Sequence, residues 1–298
     1  MNKMSVGARA SENKQSSSKK ISFYQKEPIS CPVCSSRFRR EEMLSGGGRL
    51  IARDITDELR RIYVPGKNVG EVNPLVYPVV VCPECWYAAY PEDFSCILQK
   101  YTSFARSQDS KRKKDIKLIF PVVDFKQPRN LFSGTASYIL AMGCYSFHKN
   151  ERAPTFKKGL SALRAAWLFS DLNKKYPGQN YDKLRIMMYK KAMDYYQKAV
   201  SFAQTGKENI DSIKHFGPDL DKNYGYQGAL FISTLLLFKY GAKHDPQARI
   251  SRLNEAKRIV SRIFGTGKST KNKPSLVLEL ARGVYEKINQ ELEEVKQG

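Results

Sequence analysis

Two short segments constrain this chain more than anything else in it: Cys31-Pro32-Val33-Cys34 and Cys82-Pro83-Glu84-Cys85. A Cys-x-x-Cys turn sets two sulfurs on one side of a tight loop. Two such turns supply four thiolates, a complete tetrahedral shell for zinc. A filled shell has no position left for water or substrate, so the pattern predicts a structural metal and argues against catalysis. Iron in a rubredoxin-like site is the alternative occupant, since sulfur tetrahedra accept iron as well. A disulfide pair and a thioredoxin-like redox turn compete with both. The residues Met1 to Lys20 are polar and basic, without the apolar stretch of a secretion signal. That predicts a reducing, cytoplasmic setting in which disulfides are rare. A redox turn needs one Cys-x-x-Cys at a strand-to-helix junction, whereas here there are two similar copies. Cys96 and Cys144 lie outside the pairs and read as buried small apolar residues.

Charge is the compositional outlier: 51 Lys and Arg against 29 Asp and Glu give a formal net charge of +22. Such a surface favours polyanionic partners, or it is merely solvated; charge alone does not choose. The most apolar stretch, Ala229 to Phe238, is far too short for a membrane span.

Residues 1–20 read as a disordered basic arm, because they cannot bury enough surface to offset ordering entropy. Residues 21–106 hold the cysteine module. The β-branched run Pro74 to Val81 predicts an edge strand entering the second turn, and Arg49 to Asp54 predicts another strand after Gly46-Gly47-Gly48. The 47 residues between Cys34 and Cys82 exceed usual ribbon spacing, so an excursion, roughly Ile55 to Asn73, must leave the ribbon and return. Residues 107–130 read as a basic linker.

From Leu131 the period becomes helical. Tyr138, Leu140 and Cys144 mark one helix; Phe156, Leu160, Leu163 and Trp167 mark a second; Leu184 to Ala203, Ala229 to Phe238, Ile250 to Ile263 and Leu276 to Leu292 mark four more. Ala192-x3-Tyr196-x2-Ala199 and Leu163-x2-Ala166-Trp167 match the two helices of a tetratricopeptide repeat. The predicted class is α+β, mainly α: a small zinc-ribbon-like β module followed by a tetratricopeptide-like helical-hairpin domain over residues 131–298.

The sequence resembles a bacterial domain-of-unknown-function family that joins a double Cys-Pro-x-Cys module to tetratricopeptide-like helices. The residues that carry the resemblance are Cys31 to Cys34, Ile51 to Asp54, Asn73 to Tyr77, Val81 to Ala89, Glu92-Asp93-Phe94 and Leu163 to Leu168. It implies architecture and metal, not an activity. One feature departs from ordinary metal knuckles, where glycine follows the second cysteine: here Ser35 and Trp86 stand in those places.

Arg37, Arg39 and Arg40 follow the first turn, and Lys111-Arg112-Lys113-Lys114 forms a basic run. Both can contact nucleic-acid phosphates; the plainer readings are neutralisation of an anionic metal centre and solvation. Trp86, Tyr87 and Tyr90 can stack on bases or cap a small core. The histidines, His148, His215 and His244, carry no suggestive spacing, and Gly265 to Thr270 lacks the first half of a phosphate loop. The sequence therefore predicts a non-enzymatic zinc adaptor that binds protein partners on its helical surface. The alternative is a nucleic-acid binder using the zinc module and the basic linker.

Overall fold

The computed structural model describes residues 20–297 except 45, 68, 211–212, 214–216, 219, 221 and 265–274. The expected arm, apart from Lys20, therefore lies outside the described residues, as do His215 and the Gly265 to Thr270 segment.

The N-terminal part is built from two-stranded antiparallel sheets. β2 (Ile29–Ser30) pairs with β3 (Arg37–Phe38) around the first cysteine turn, and β7 (Val80–Val81) pairs with β8 (Ala88–Ala89) around the second. β1 (Ser22–Tyr24) pairs with β4 (Glu41–Met43) outside the first turn. β5 (Ile51–Ile55) and β6 (Arg61–Val64) form a separate hairpin. The expected strand at Arg49 to Asp54 thus exists, but it belongs to the excursion rather than to the ribbon. The expected strand from Pro74 to Val81 is corrected: Pro74–Val76 is a 3-10 turn, and only Val80–Val81 enters a ladder. Asn73 accepts the Leu75 N–H at 3.1 Å and starts that turn, while Pro74 and Pro78 have no N–H to give a ladder.

The expected linker at residues 107–130 is also different in structure. α1 (Thr102–Ser107) leads into α2 (Asp109–Ile119), and Ile116, Phe120, Val123 and Phe125 are buried. Composition misled because Lys and Arg are good helix formers and find acids four residues away: Lys111 meets Asp115 at 2.7 Å and Lys113 meets Asp109 at 3.4 Å.

The six expected helices are all present: α3 (Leu131–Cys144), α4 (Pro154–Lys175), α5 (Tyr181–Gln204), α6 (Gly225–Tyr240), α7 (Pro246–Phe264) and α8 (Ser275–Gln297). An Asn130/Ser133 capping box opens α3. Each helix from α3 onward packs on its neighbours in the chain. α4 is the centre of the stack: Phe156, Leu163, Ala165, Ala166, Leu168 and Phe169 are fully buried. Gly159 lets α5 approach, since a Cβ there would lie 3.0 Å from the Tyr196 ring. Arg249 clamps α7 to α8 through Glu291 at 2.6 and 2.7 Å. No helix among the described residues is long and apolar enough to cross a membrane.

One continuous apolar cluster runs from Cys31 to Leu292. The cysteine module is packed into the helical part rather than tethered to it. A tight contact at that seam is Gly134 of α3, where a Cβ would fall 2.6 Å from the Val76 side chain and 2.8 Å from its Cα. Gly134→Ala is expected to destabilise the chain by about 1–3 kcal/mol. Gly143→Ala on the same helix meets no atom within 4 Å and should leave stability unchanged or slightly raised. Urea denaturation midpoints of the two variants check this.

Candidate metal centre

The two cysteine turns have the same backbone. In the first, the Cys31 N–H donates to Ser36 O and the Ser35 N–H to Cys31 O, both at 2.9 Å. In the second, the Cys82 N–H donates to Tyr87 O and the Trp86 N–H to Cys82 O, again at 2.9 Å. The residues that occupy the usual glycine positions are left-handed, Ser35 at φ 64° and Trp86 at φ 56°. That conformation costs a non-glycine residue on the order of 1 kcal/mol or more. At Trp86 packing opposes the strain, because the indole is buried edge-on against Phe125, with ring centroids 5.1 Å apart.

The turns face each other. Cys31 Sγ lies 3.6 Å from Cys85 Sγ, Cys34 Sγ lies 3.6 Å from Cys82 Sγ, and all four sulfurs fall within 4.8 Å of one another. A tetrahedron with metal–sulfur bonds of about 2.3 Å has edges of about 3.8 Å, so the donor set fits a thiolate-bound ion. The separations are far too long for disulfides, and all six cysteines are free. Cys31, Cys82 and Cys85 are buried and Cys34 is half-buried. Protons are shared among sulfurs this close. The hydrogen bond with Cys31 draws Cys82 far below the ordinary thiol range. Its counterpart on Cys31 pushes that thiol up to about 12, and the bond with Cys31 pushes Cys85 up further. A divalent cation is what allows all four to be thiolates together.

The surroundings hold the turns rather than open them. Arg112 of α2 donates from Nη2 and Nε to Cys85 O at 2.7 and 3.2 Å, and from Nη1 to Ala105 O at 2.6 Å. The cation beside the centre thus comes from the basic run. Lys111 and Lys113 of that run are ion-paired along α2, and Lys114 is exposed. Arg37 and Arg39 are exposed beside the first turn, and Arg40 pairs with Glu42 at 3.1 Å. Trp86, Tyr87 and Tyr90 are all buried, which places them in the core and away from any base. Cys144 is buried and its sulfur accepts the Ala88 N–H at 3.4 Å. Cys96, expected to be buried, is half-exposed, 3.6 Å from Glu92 O.

Beneath the second turn lies a buried polar cluster that single-residue patterns do not reveal. Asp93 is fully buried; its Oδ2 accepts from Tyr145 Oη at 2.8 Å and from Lys157 Nζ. Tyr145 Oη in turn accepts the Tyr90 N–H at 3.0 Å. Tyr87 Oη meets His148 Nε2 at 3.0 Å, and burial pushes His148 down to about 4, so its ring is neutral near pH 7. The other described histidine, His244, is exposed. These contacts span 52 to 64 residues in sequence, and the Glu92-Asp93 pair between Tyr90 and Phe94 does not by itself reveal them.

The chain matches, over residues 23–288, the family described as "Uncharacterized protein conserved in bacteria (DUF2225)". It is also 40% identical over 278 residues to an "Uncharacterized protein" of Borreliella burgdorferi, an alignment covering 93% of this chain and all of that relative. No solved structure matches it.

Elemental analysis is expected to find about one metal ion per chain, lost in a Cys31→Ser plus Cys82→Ser variant together with thermal stability. Asp93→Ala removes the closer carboxylate from the buried Lys157 ammonium, leaving only Glu92 at 3.7 Å, and should cost about 3 kcal/mol. Lys157→Met added to Asp93→Ala should recover part of that loss in the same denaturation assay.

Proposed function

The chain belongs to this bacterial family, and within it we propose the role of a non-catalytic adaptor. A structural zinc at Cys31, Cys34, Cys82 and Cys85 fixes the β module on the helices. The helices α4 to α8, stacked in chain order as tetratricopeptide-like hairpins, present the surface for a protein partner. The carrying observation is the closed sulfur shell: four soft donors within 4.8 Å, fixed by backbone bonds and by Arg112, with no position left for a substrate. A cleft of ≈ 450 Å³ between the module and α4 supports the same reading, because its cations are already engaged. Arg40 pairs with Glu42, Lys157 with Asp93, and Arg164 donates to Gly217 O and Pro218 O.

The second reading is nucleic-acid binding. Arg37 and Arg39 beside the first turn, and Lys111 and Lys114 on α2, are exposed and favour it. The expected result for the adaptor is weak, non-specific binding to duplex DNA, roughly 10 μM or poorer near physiological salt, with little sequence preference. In-cell cross-linking from α4 to α8 should yield a reproducible protein partner, and purified chain should carry zinc rather than iron. Submicromolar, sequence-selective binding to DNA or RNA would replace the adaptor reading with the nucleic-acid one.

A further inference from the structure

The excursion between the cysteine turns ends in a tip that reaches deep into the helical stack. Residues 56–60 close a tight turn, with the Thr56 N–H donating to Arg60 O and the Leu59 N–H to Thr56 O, each at 2.9 Å. The Glu58 carboxylate sits among three helices. Its Oε2 accepts from Trp167 Nε1 of α4 at 2.6 Å and from Tyr189 Oη of α5 at 2.7 Å, and its Oε1 from Lys239 Nζ of α6 at 3.1 Å. Lys239 also meets Asp57 at 2.7 Å. Next to Glu58, the Leu59 side chain is fully buried although its backbone is left-handed, at φ 60°. Glycine would serve the turn with less strain. Burial of the Leu59 side chain in the common apolar core offsets that strain.

We infer that this seat is a recognition site for an acidic peptide, a carboxylate followed by a large apolar side chain, and that the hairpin tip is its resident intramolecular occupant. The inference rests on the adaptor reading and names the partner chemistry of the helical surface. Three donors from α4, α5 and α6 converge on one carboxylate. If the tip leaves, a buried indole N–H, a buried phenol and an ammonium lose their acceptor, so the vacated seat demands another carboxylate. Arg185 lies over the Tyr189 ring, 5.9 Å from its centroid, and adds positive charge at the rim. The rest of the hairpin is attached lightly. Four of the five β5 residues are exposed, and Ile51 and Ile62 keep 39% and 37% of their surface in water. Withdrawal of the tip therefore uncovers Leu59, Trp167 and Tyr189, while the strands behind it bring little further apolar surface out of the core. Arg60 strengthens the resident state, meeting Asp171 of α4 at 2.5 Å. A tethered tip competes at an effective concentration of about millimolar, so a free peptide binds the intact chain weakly and a tip-weakened chain well.

The test uses the full chain and the emission of Trp167, whose N–H changes partner; Trp86, the other tryptophan, stays packed at the second turn. Leu59→Gly removes the apolar anchor while suiting the backbone, and Asp57→Asn plus Glu58→Gln removes the charge. The probe is a synthetic peptide with the sequence of residues 54–61, and its control carries Gln in place of the glutamate. Each variant is expected to bind the probe at least about tenfold more tightly than the unmodified chain, and the control at least about tenfold more weakly than the probe. Equal affinities across the three chains, or equal affinities for probe and control, overturn the inference. If Leu59→Gly does not fold, the charge variant carries the test. Failure of both to fold overturns the inference too, because the tip is then part of the core and not a displaceable occupant. Any of these failures leaves the adaptor reading to the cross-linking result on the remaining helical faces.

Discussion

Four sulfurs must meet within 4.8 Å, and the pairs that approach most closely, Cys34 with Cys82 and Cys31 with Cys85, are 48 and 54 residues apart in sequence. This constraint organises the N-terminal part. Strands of two or three residues have almost no stability of their own in water. Each cysteine turn is held by two backbone hydrogen bonds and one small ladder, so an ion held by the four sulfurs would make the pair of turns a unit. Free energy of metal binding in such modules, roughly 10 kcal/mol or more, is large enough to hold Ser35 and Trp86 in the left-handed region. The loss of glycine there is therefore tolerated, and Trp86 becomes a core residue.

The helical part builds the second half of the metal centre's environment. Arg112 supports the Cys85 carbonyl from α2, Cys144 of α3 accepts an N–H from β8, and Lys157 of α4 neutralises Asp93 beneath the second turn. Buried polar groups of this kind add little net stability when paired and cost much when broken. They fix one orientation of module against helices, which greasy packing alone would leave degenerate. The hairpin between the turns makes the reverse connection, carrying Glu58 from the module into the helices. The two parts are thus interlocked, with cations of the helices on acids of the module at two separate places.

Several expectations failed for one shared reason. Pro74 to Val81 has the β-branched density of a strand, yet a proline at its start and an asparagine cap before it favour a 3-10 turn. Residues 107–130 have a linker's charge, yet Ile116 and Phe120 are spaced four apart and are buried. Composition averages over a window, whereas a buried face needs only two or three residues at the right spacing.

The sequence by itself determined which four cysteines come together, the six helices from residue 131 onward and the mainly helical class. Each of these begins in a local signal: a Cys-x-x-Cys turn sets two sulfurs on one loop, and an apolar stripe at helical period needs only its own segment, whereas the meeting of the two turns is long-range. Tertiary structure decided which charges are paid out to water and which are spent inside. Lys157 and Arg112 look like any other cation in a chain of net charge +22, and Glu58 looks like any loop acid. Their partners lie 64, 27 and more than 100 residues away. A charge is worth burying only where the fold brings donors and acceptors together from distant segments, and no local pattern records that meeting.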